Sequence, residues 1–364
     1  MSVAARIFPG LRVKSDRTRK RVVLLVLLLL LAFLIFLSVD KGAVEISLAQ
    51  CLAIIGRSIG LHLPWAFNAQ QEATLINIRL PRVLLGVLVG AGLGVSGSAM
   101  QGLFRNPLAD PSLVGISSGA ALAATVFIII GDAVSLRLPS VLSLFAFPLA
   151  AFIGGLATTV VVYRLATIAG QTVVATLLLA GIAINALAQA FSGLLTFFAT
   201  DTQIRSITFW RLGSLGGATW YSVAACAPFI ILPIAIFPRL SRGLNALLLG
   251  ESEAGHLGVN IERLKKLTVV LVALTVGAAV AVTGLISFVG LVVPHLLRLL
   301  IGPDHRQLLP GSALLGASLL LGADLIARTV VAPAELPIGV LTAITGAPFF
   351  LWLLLRDRKW RVIH

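Results

Sequence analysis

The sequence is poor in charge. Asp, Glu, Lys and Arg make up only 12% of its 364 residues, against about 25% in soluble domains. With 58% hydrophobic residues and a mean hydropathy of +1.04, a water-soluble globule of this length could not hide its apolar surface. Lipid is the natural solvent. Cysteine is scarce too. Cys51 and Cys226 give no disulfide framework, although one bridge is open to them, and neither sits in a C-x-x-C pair that would suggest zinc or thiol redox chemistry. H-E-x-x-H is absent and no pair of carboxylates lies mid-span, so metal-assisted or paired-carboxylate hydrolysis within the membrane lacks its groups. No G-x-x-x-x-G-K-[ST] occurs, so the chain has no P-loop of its own. His62, His256, His295, His305 and His364 do not pair at ligand spacing, and neither a resident metal nor any other cofactor is expected.

What is present is a series of long apolar runs. A crossing needs about 20 apolar residues to span roughly 30 Å of hydrocarbon. Ten runs qualify: 22–39, 82–101, 112–131, 142–165, 172–196, 219–238, 267–285, 287–301, 308–328 and 337–355. The expected fold is therefore all-α and polytopic, with about ten transmembrane helices. An even number returns both termini to one side. Arg6, Arg12, Lys14, Arg17, Arg19, Lys20 and Arg21 precede the first run, and Arg356, Arg358, Lys359 and Arg361 follow the last. Positive flanks resist translocation, so both ends are expected in the cytoplasm. A secretory signal fits less well, because the first run is long and no small-residue cleavage site follows it. In this orientation the inner segments hold 20 of the 28 Lys and Arg and 7 of the 14 acids, a balance of +13 against +1 outside. The net charge of +14 is a membrane pattern, and no nucleic-acid partner is expected.

The domain reading is a basic segment over 1–21 followed by one membrane domain over 22–364. Three stretches do not span. Residues 40–81 form an outer loop, with Pro64 and Trp65 expected at the interface. Residues 197–218 are also outer and contain GSLGGATW from Gly213. Residues 239–266, RLSRGLNALLLGESEAGHLGVNIERLKK, form the longest inner loop. A faint repeat relates GAGLGVSG from Gly90 to GAAVAVTG from Gly277, and the same offset carries Pro107 onto Pro294. Small residues recur in any membrane helix. Read as a repeat it is inverted, the first copy starting outside and the second inside, so that two inverted-related halves are expected, a transporter architecture.

The stretch from Arg79, RLPRVLLGVLVGAGLGVSGSAMQGLFRNPLADPSLVGISSGAALAA, resembles the signature region of the permeases that import iron-siderophores, haem and cobalamin in bacterial binding-protein-dependent ABC systems. GLISFVGLVVPHLLRLLIGPDHRQLLPGSALLGASLLLGADLIAR and APAELPIGVLTAITGAPFFLWLLL extend the resemblance over nearly all of the chain after about residue 75. It implies ten helices per subunit in a homodimer, set in the bacterial inner membrane. The implied partners are two copies of a cytoplasmic ABC ATPase and a periplasmic substrate-binding protein. The chain itself is then no enzyme.

The resemblance also implies roles for particular residues. Arg79, Arg82 and Arg328 stand at outer helix ends, where basic residues should be depleted. Snorkelling to lipid phosphates is one reading. Matching arginines in the family dock carboxylates of the binding protein, a task suited to guanidinium. Asp324, one turn before Arg328, is a candidate internal partner. Leu249, Gly250, Glu251, Ala254, Leu257 and Gly258 correspond to two short coupling helices that seat in the ATPase; a solvated inner loop is the plainer alternative. Asn106 and Leu108 flank Pro107 in an inner turn and are implied near the cytoplasmic gate, though a simple connecting turn would look the same. In the fifth span Gly181, Asn185, Gln189 and Ser192 share a less apolar face that either lines a pathway or packs against protein. TDTQIRSITFWRLGSLGGATW and APAELPIG look most like the haem-importing members, with ferric siderophore and cobalamin as alternatives. An ion-coupled secondary transporter is the competing class, but it normally needs ionisable groups at mid-membrane.

Overall fold

A computed structural model describes residues 16–42, 44–58, 60–135, 139–332 and 334–362. Arg6, Arg12, Lys14, Arg137 and His364 lie outside them, as do the first fifteen residues of the basic segment. The chain is helical almost throughout. In lipid, helices satisfy every backbone donor within one segment. Among the described residues seven helices are long and apolar enough to cross a membrane.

The helices, in chain order, begin with α1 (Asp16–Asp40), α2 (Leu48–Ser58) and α3 (Ala69–Thr74). A π-helical turn over Leu75–Arg79 then leads into α4 (Leu80–Leu103). Next come α5 (Ile116–Ser135), α6 (Ser140–Ala166), α7 (Val174–Phe197) and α8 (Asp201–Leu212). The second half holds α9 (Trp220–Leu247), α10 (Glu251–His256), α11 (Ile261–Thr283), α12 (Val289–Ile301), α13 (His305–Thr329) and α14 (Ile338–Val362). A two-stranded hairpin, β1 (Thr167–Ile168) against β2 (Gln171–Thr172), joins α6 to α7. The ten expected spans coincide with α1, α4, α5, α6, α7, α9, α11, α12, α13 and α14. The face that carries α10 is called inner below, and the face that carries α2 and α8 outer.

The boundaries differ in informative ways. The expected outer loop over 40–81 contains α2, α3 and the π turn, because Asn68 and Gln71 form a capping box that starts a helix at Ala69. The outer stretch over 197–218 contains α8, opened by a similar box between Thr200 and Gln203. The sixth span does not end at 238. α9 carries Pro228, Pro233 and Pro238 inside it and continues to Leu247, since packed neighbours in a membrane protein tolerate a proline's missing hydrogen bond. Consequently α10 is the one separate short helix of the described inner loop, where two were expected.

α4 and α11 are the most enclosed helices and carry the two glycine-rich runs. They run in opposite directions, as two inverted halves require. The matching offset does not persist further: Pro107 lies in a turn and Pro294 inside α12. α4 meets α13 backbone to backbone. A Cβ on Gly90 would lie 2.5 Å from the Gly316 carbonyl oxygen, and one on Gly94 would be closer still to that of Ser312. Ser98 and Ser312 hydroxyls hydrogen-bond across the same seam at 2.6 Å. Small residues permit such an approach and polar ones fasten it.

Candidate functional site

Three polar constellations stand out, one at each face and one between. At the outer face Arg82, in the first turn of α4, is 7% exposed. Its Nη2 donates to Asp324 Oδ1 at 2.8 Å and its Nη1 to Glu335 Oε1 at 2.7 Å. Asp324, on α13, is 1% exposed. Arg79 donates to the carbonyls of Val39 and Asp40 at 2.6 and 2.9 Å and to that of Val44. Arg328 donates to the Ser38 and Lys41 carbonyls at 2.6 and 2.8 Å. The last carbonyls of α1 have no partners within their own helix, and a cation there also complements the helix dipole. Two guanidiniums therefore cap α1 while the third locks α4 to α13 and to the 330–337 connection. All three arginines expected at the outer rim are there, but their donors face into the chain rather than lipid phosphates. Asp324 pairs mainly with Arg82, with Arg328 Nε at 3.6 Å. Hydrogen bonding from Arg82 holds the Glu335 carboxyl below its ordinary range despite partial burial.

Between the faces lies a cavity of about 410 Å³. Asp110, Ser112, Ser118, Asn185, Gln189 and Arg211 supply polar lining, with apolar wall from α4, α11 and the turn at 285–288. Asn185 accepts from the Ser118 hydroxyl and donates to the Ser112 carbonyl at 3.3 Å. Gln189 lies one turn further along α7, on an exposed part of the wall. Asn106 and Leu108 are not in this lining. They sit in the inner turn after α4, where Asn106 Oδ1 accepts from Leu108 N at 2.9 Å and Arg105 takes a positive φ of 48°. Of the four residues expected on a pathway, the structure brings Asn185 and Gln189 together and leaves the other two at its inner approach. Ser112, Ser118 and Arg211 also line the cavity, and neither the serines of the third span nor one arginine in an outer stretch forms a periodic pattern that would mark them in the sequence.

At the inner face Gly250 and Gly258 bracket α10 with φ of +126° and +80°, values open to glycine without strain. Ala254 is fully buried, whereas Leu249 and Leu257 are 68% and 64% exposed. Glu251 forms an ion pair with Lys265 of α11 at 2.7 Å. Lys265, which sequence reading passed over, is 3% exposed and also reaches the Thr172 carbonyl at 2.6 Å and Glu262 at 3.2 Å. On the other side Asn245 donates to Asp304 Oδ1 at 2.6 Å and accepts from His305 N at 2.8 Å, tying the end of α9 to the start of α13.

Among the described residues no three His, Cys, Asp or Glu side chains converge as metal ligands. Cys51 and Cys226 are both free thiols. Across the described residues the three constellations brace neighbouring helices and line a cavity between them.

Comparison with known proteins agrees. The profile of the FecCD transport family matches residues 29–356. A hemin transport system permease protein from Yersinia pestis is 49% identical over 348 residues, 95% of this chain and 99% of that one. A cobalamin import system permease protein from Halobacterium salinarum is 44% identical over 308 residues, 84% of this chain and 80% of that one. A solved chain described as an inward-facing conformation of a metal-chelate type ABC transporter aligns with a TM-score of 0.78 at 33% identity, covering 92% of this chain and 98% of that chain.

Proposed function

Because this chain belongs to the FecCD transport family, and is thus a multi-pass inner-membrane permease of an ABC importer whose ATPase is a separate subunit, we propose that its cargo is haem. The observation that carries this reading is the 49% identity to a permease named for hemin, sustained over almost the full length of both chains. The test is uptake into proteoliposomes holding the permease, its ATPase and its binding protein. ATP-dependent accumulation of haem, with ferric siderophore and cobalamin excluded, is the expected result. Preferential uptake of either competitor overturns the cargo, and uptake driven by a proton gradient without ATP overturns the mechanism.

In the proposed cycle two copies of the chain face each other across α7. Leu179, Ile182 and Phe191 leave much of that helix bare, which supports a second protomer closing the cavity. Asn185 and Gln189 line the pathway, and Asn106 and Leu108 guard its inner mouth. The ATPase seats against Leu249, Gly250, Glu251, Leu257 and Gly258, while Ala254, expected in the same contact, is fully buried and instead holds α10 to the body of the chain. Exposed apolar side chains such as Leu249 and Leu257 are what a buried protein contact requires. The binding protein docks on the outer rim that Arg79, Arg82 and Arg328 organise. Both termini lie in the cytoplasm, in keeping with the basic flanks.

A further inference from the structure

We infer that Lys265 is a positioning residue that carries movement of α10 to the wall of the cavity. This rests on the reading of α10 as the ATPase contact. An ammonium has three protons, and at Lys265 each has its own acceptor: Glu251 of α10, Glu262 of α11 and the Thr172 carbonyl of β2. The second oxygen of Glu262 accepts from Thr172 N at 2.9 Å. Thr172 is therefore gripped through both its carbonyl and its N–H. Its hydroxyl also bonds the Tyr163 hydroxyl at 3.1 Å, which fixes the hairpin to α6. The hairpin is tight, with Ala169 and Gly170 both at positive φ, and Val174 begins α7 two residues after Thr172. α7 is the helix that presents Asn185 and Gln189 to the cavity.

The buried position gives the arrangement its meaning. Lysine is seldom buried unless paired, and a buried ion pair is weak evidence for stability, because an apolar residue of the same volume often serves as well. What the ammonium adds is a directional tie that joins α10 and α11 to a hairpin residue 93 positions away. The peptide route from α10 passes through the hydrogen-bonded turn at Gly258 into α11 and does not itself reach the hairpin that opens α7. Glu251 is 42% exposed at the accessible end of the tie while Lys265 is 3% exposed at its root.

The test uses the whole importer in proteoliposomes, with Cys51 and Cys226 replaced by Ala and a reporter cysteine at position 189. Two quantities are read: substrate moved per ATP, and the change in maleimide labelling at 189 between nucleotide-free and ATP-bound states. Lys265→Met is expected to lower substrate per ATP about tenfold and to flatten the labelling change, while ATP hydrolysis stays within about twofold. Lys265→Arg should retain most of both. Glu251→Gln should lose about threefold, and adding it to Lys265→Met should lose nothing more, since residues acting through one tie are not additive. A wild-type labelling change in Lys265→Met, or losses that multiply in the double variant, overturns the tie. Where Lys265→Met does not fold, Glu251→Gln decides, its carboxylate lying on the half-exposed segment. Leu257→Asp separates the two readings. A normal complex with normal transport overturns α10 as the ATPase contact. Loss of the ATPase from Leu257→Asp, together with an unchanged response in Glu251→Gln, overturns the tie alone.

Discussion

A single methyl group at Gly90 should force two helices apart. Built on the backbone, it lies 2.5 Å from Gly316 O, 2.8 Å from Ala317 Cα and 2.9 Å from Gly316 C, where ordinary contact begins at 3.4 Å. α13 must therefore retreat by about 0.9 Å, and since all three atoms are backbone no rotamer relieves the clash. A gap of roughly 0.5–1 Å forfeits a quarter to a half of each dispersion contact along the seam. Overpacking of this kind costs about 1–3 kcal/mol, partly offset by about 0.5–1 kcal/mol for Ala over Gly in a helix interior. The net loss for Gly90→Ala centres on about 1 kcal/mol, or about 2–4 °C at roughly 2–4 °C per kcal/mol. Cys51 and Cys226 are free and buried, so a thiol-reactive fluorophore reports thermal unfolding in detergent directly. Gly322→Ala is the control. It lies on the same α13 with nothing within 4 Å of its Cβ, and its Tm should hold or rise slightly. If both variants unfold at or above the wild-type temperature, the backbone contact between α4 and α13 is wrong.

Arg82→Ala would leave Asp324 buried with Arg328 at 3.6 Å as its remaining cation; breaking such a pair costs about 3–5 kcal/mol, so the variant should unfold early or fail to accumulate, which fluorescence size-exclusion would report. Glu335 should give a pH signature. Its folded pKa is depressed below the ordinary 4.5, so its contribution is fully present above pH 4.5 and fades as pH falls through the folded value. Wild-type Tm should then drop below pH 4.5 more steeply than that of Glu335→Gln; parallel curves would refute the contact. Under the dimer proposal, cysteine at position 189, which is exposed, should cross-link between protomers more readily than cysteine at position 185, which is half-buried and faces Ser118 and Ser112 of its own chain. Equal yields at the two positions would contradict that geometry.

Much of the architecture was legible because lipid imposes it. Each of the ten expected spans is an apolar run that forms a helix, seven of them of crossing length among the described residues, and the helix follows from the demand that backbone groups bond within the segment. What escaped were events governed by capping and by distance. α3 and α8 begin at capping boxes inside loops, and α9 outlasts both its three prolines and the apolar run that ends at 238, continuing to Leu247. The polar contacts were less visible still. Arg82 and Glu335 are 253 residues apart, and Thr172 and Lys265 are 93 apart; no local periodicity joins them. Glu262 and Lys265 lie three apart on one helix, and that spacing alone does not distinguish an exposed pair from a buried three-way junction. Asn185 and Gln189 could be picked out because polar residues one turn apart in an apolar helix must face protein or water.

The prolines of α9 bear on how force travels. Each deletes one backbone hydrogen bond from the helix, and at five-residue steps of about 100° per residue the weakened points turn around the axis instead of stacking on one side. Such a column yields a little in every direction and has no single hinge. Thrust arriving at the inner face would make α9 buckle before it pushed, leaving the unbroken rod of α11 beside it to bear the load.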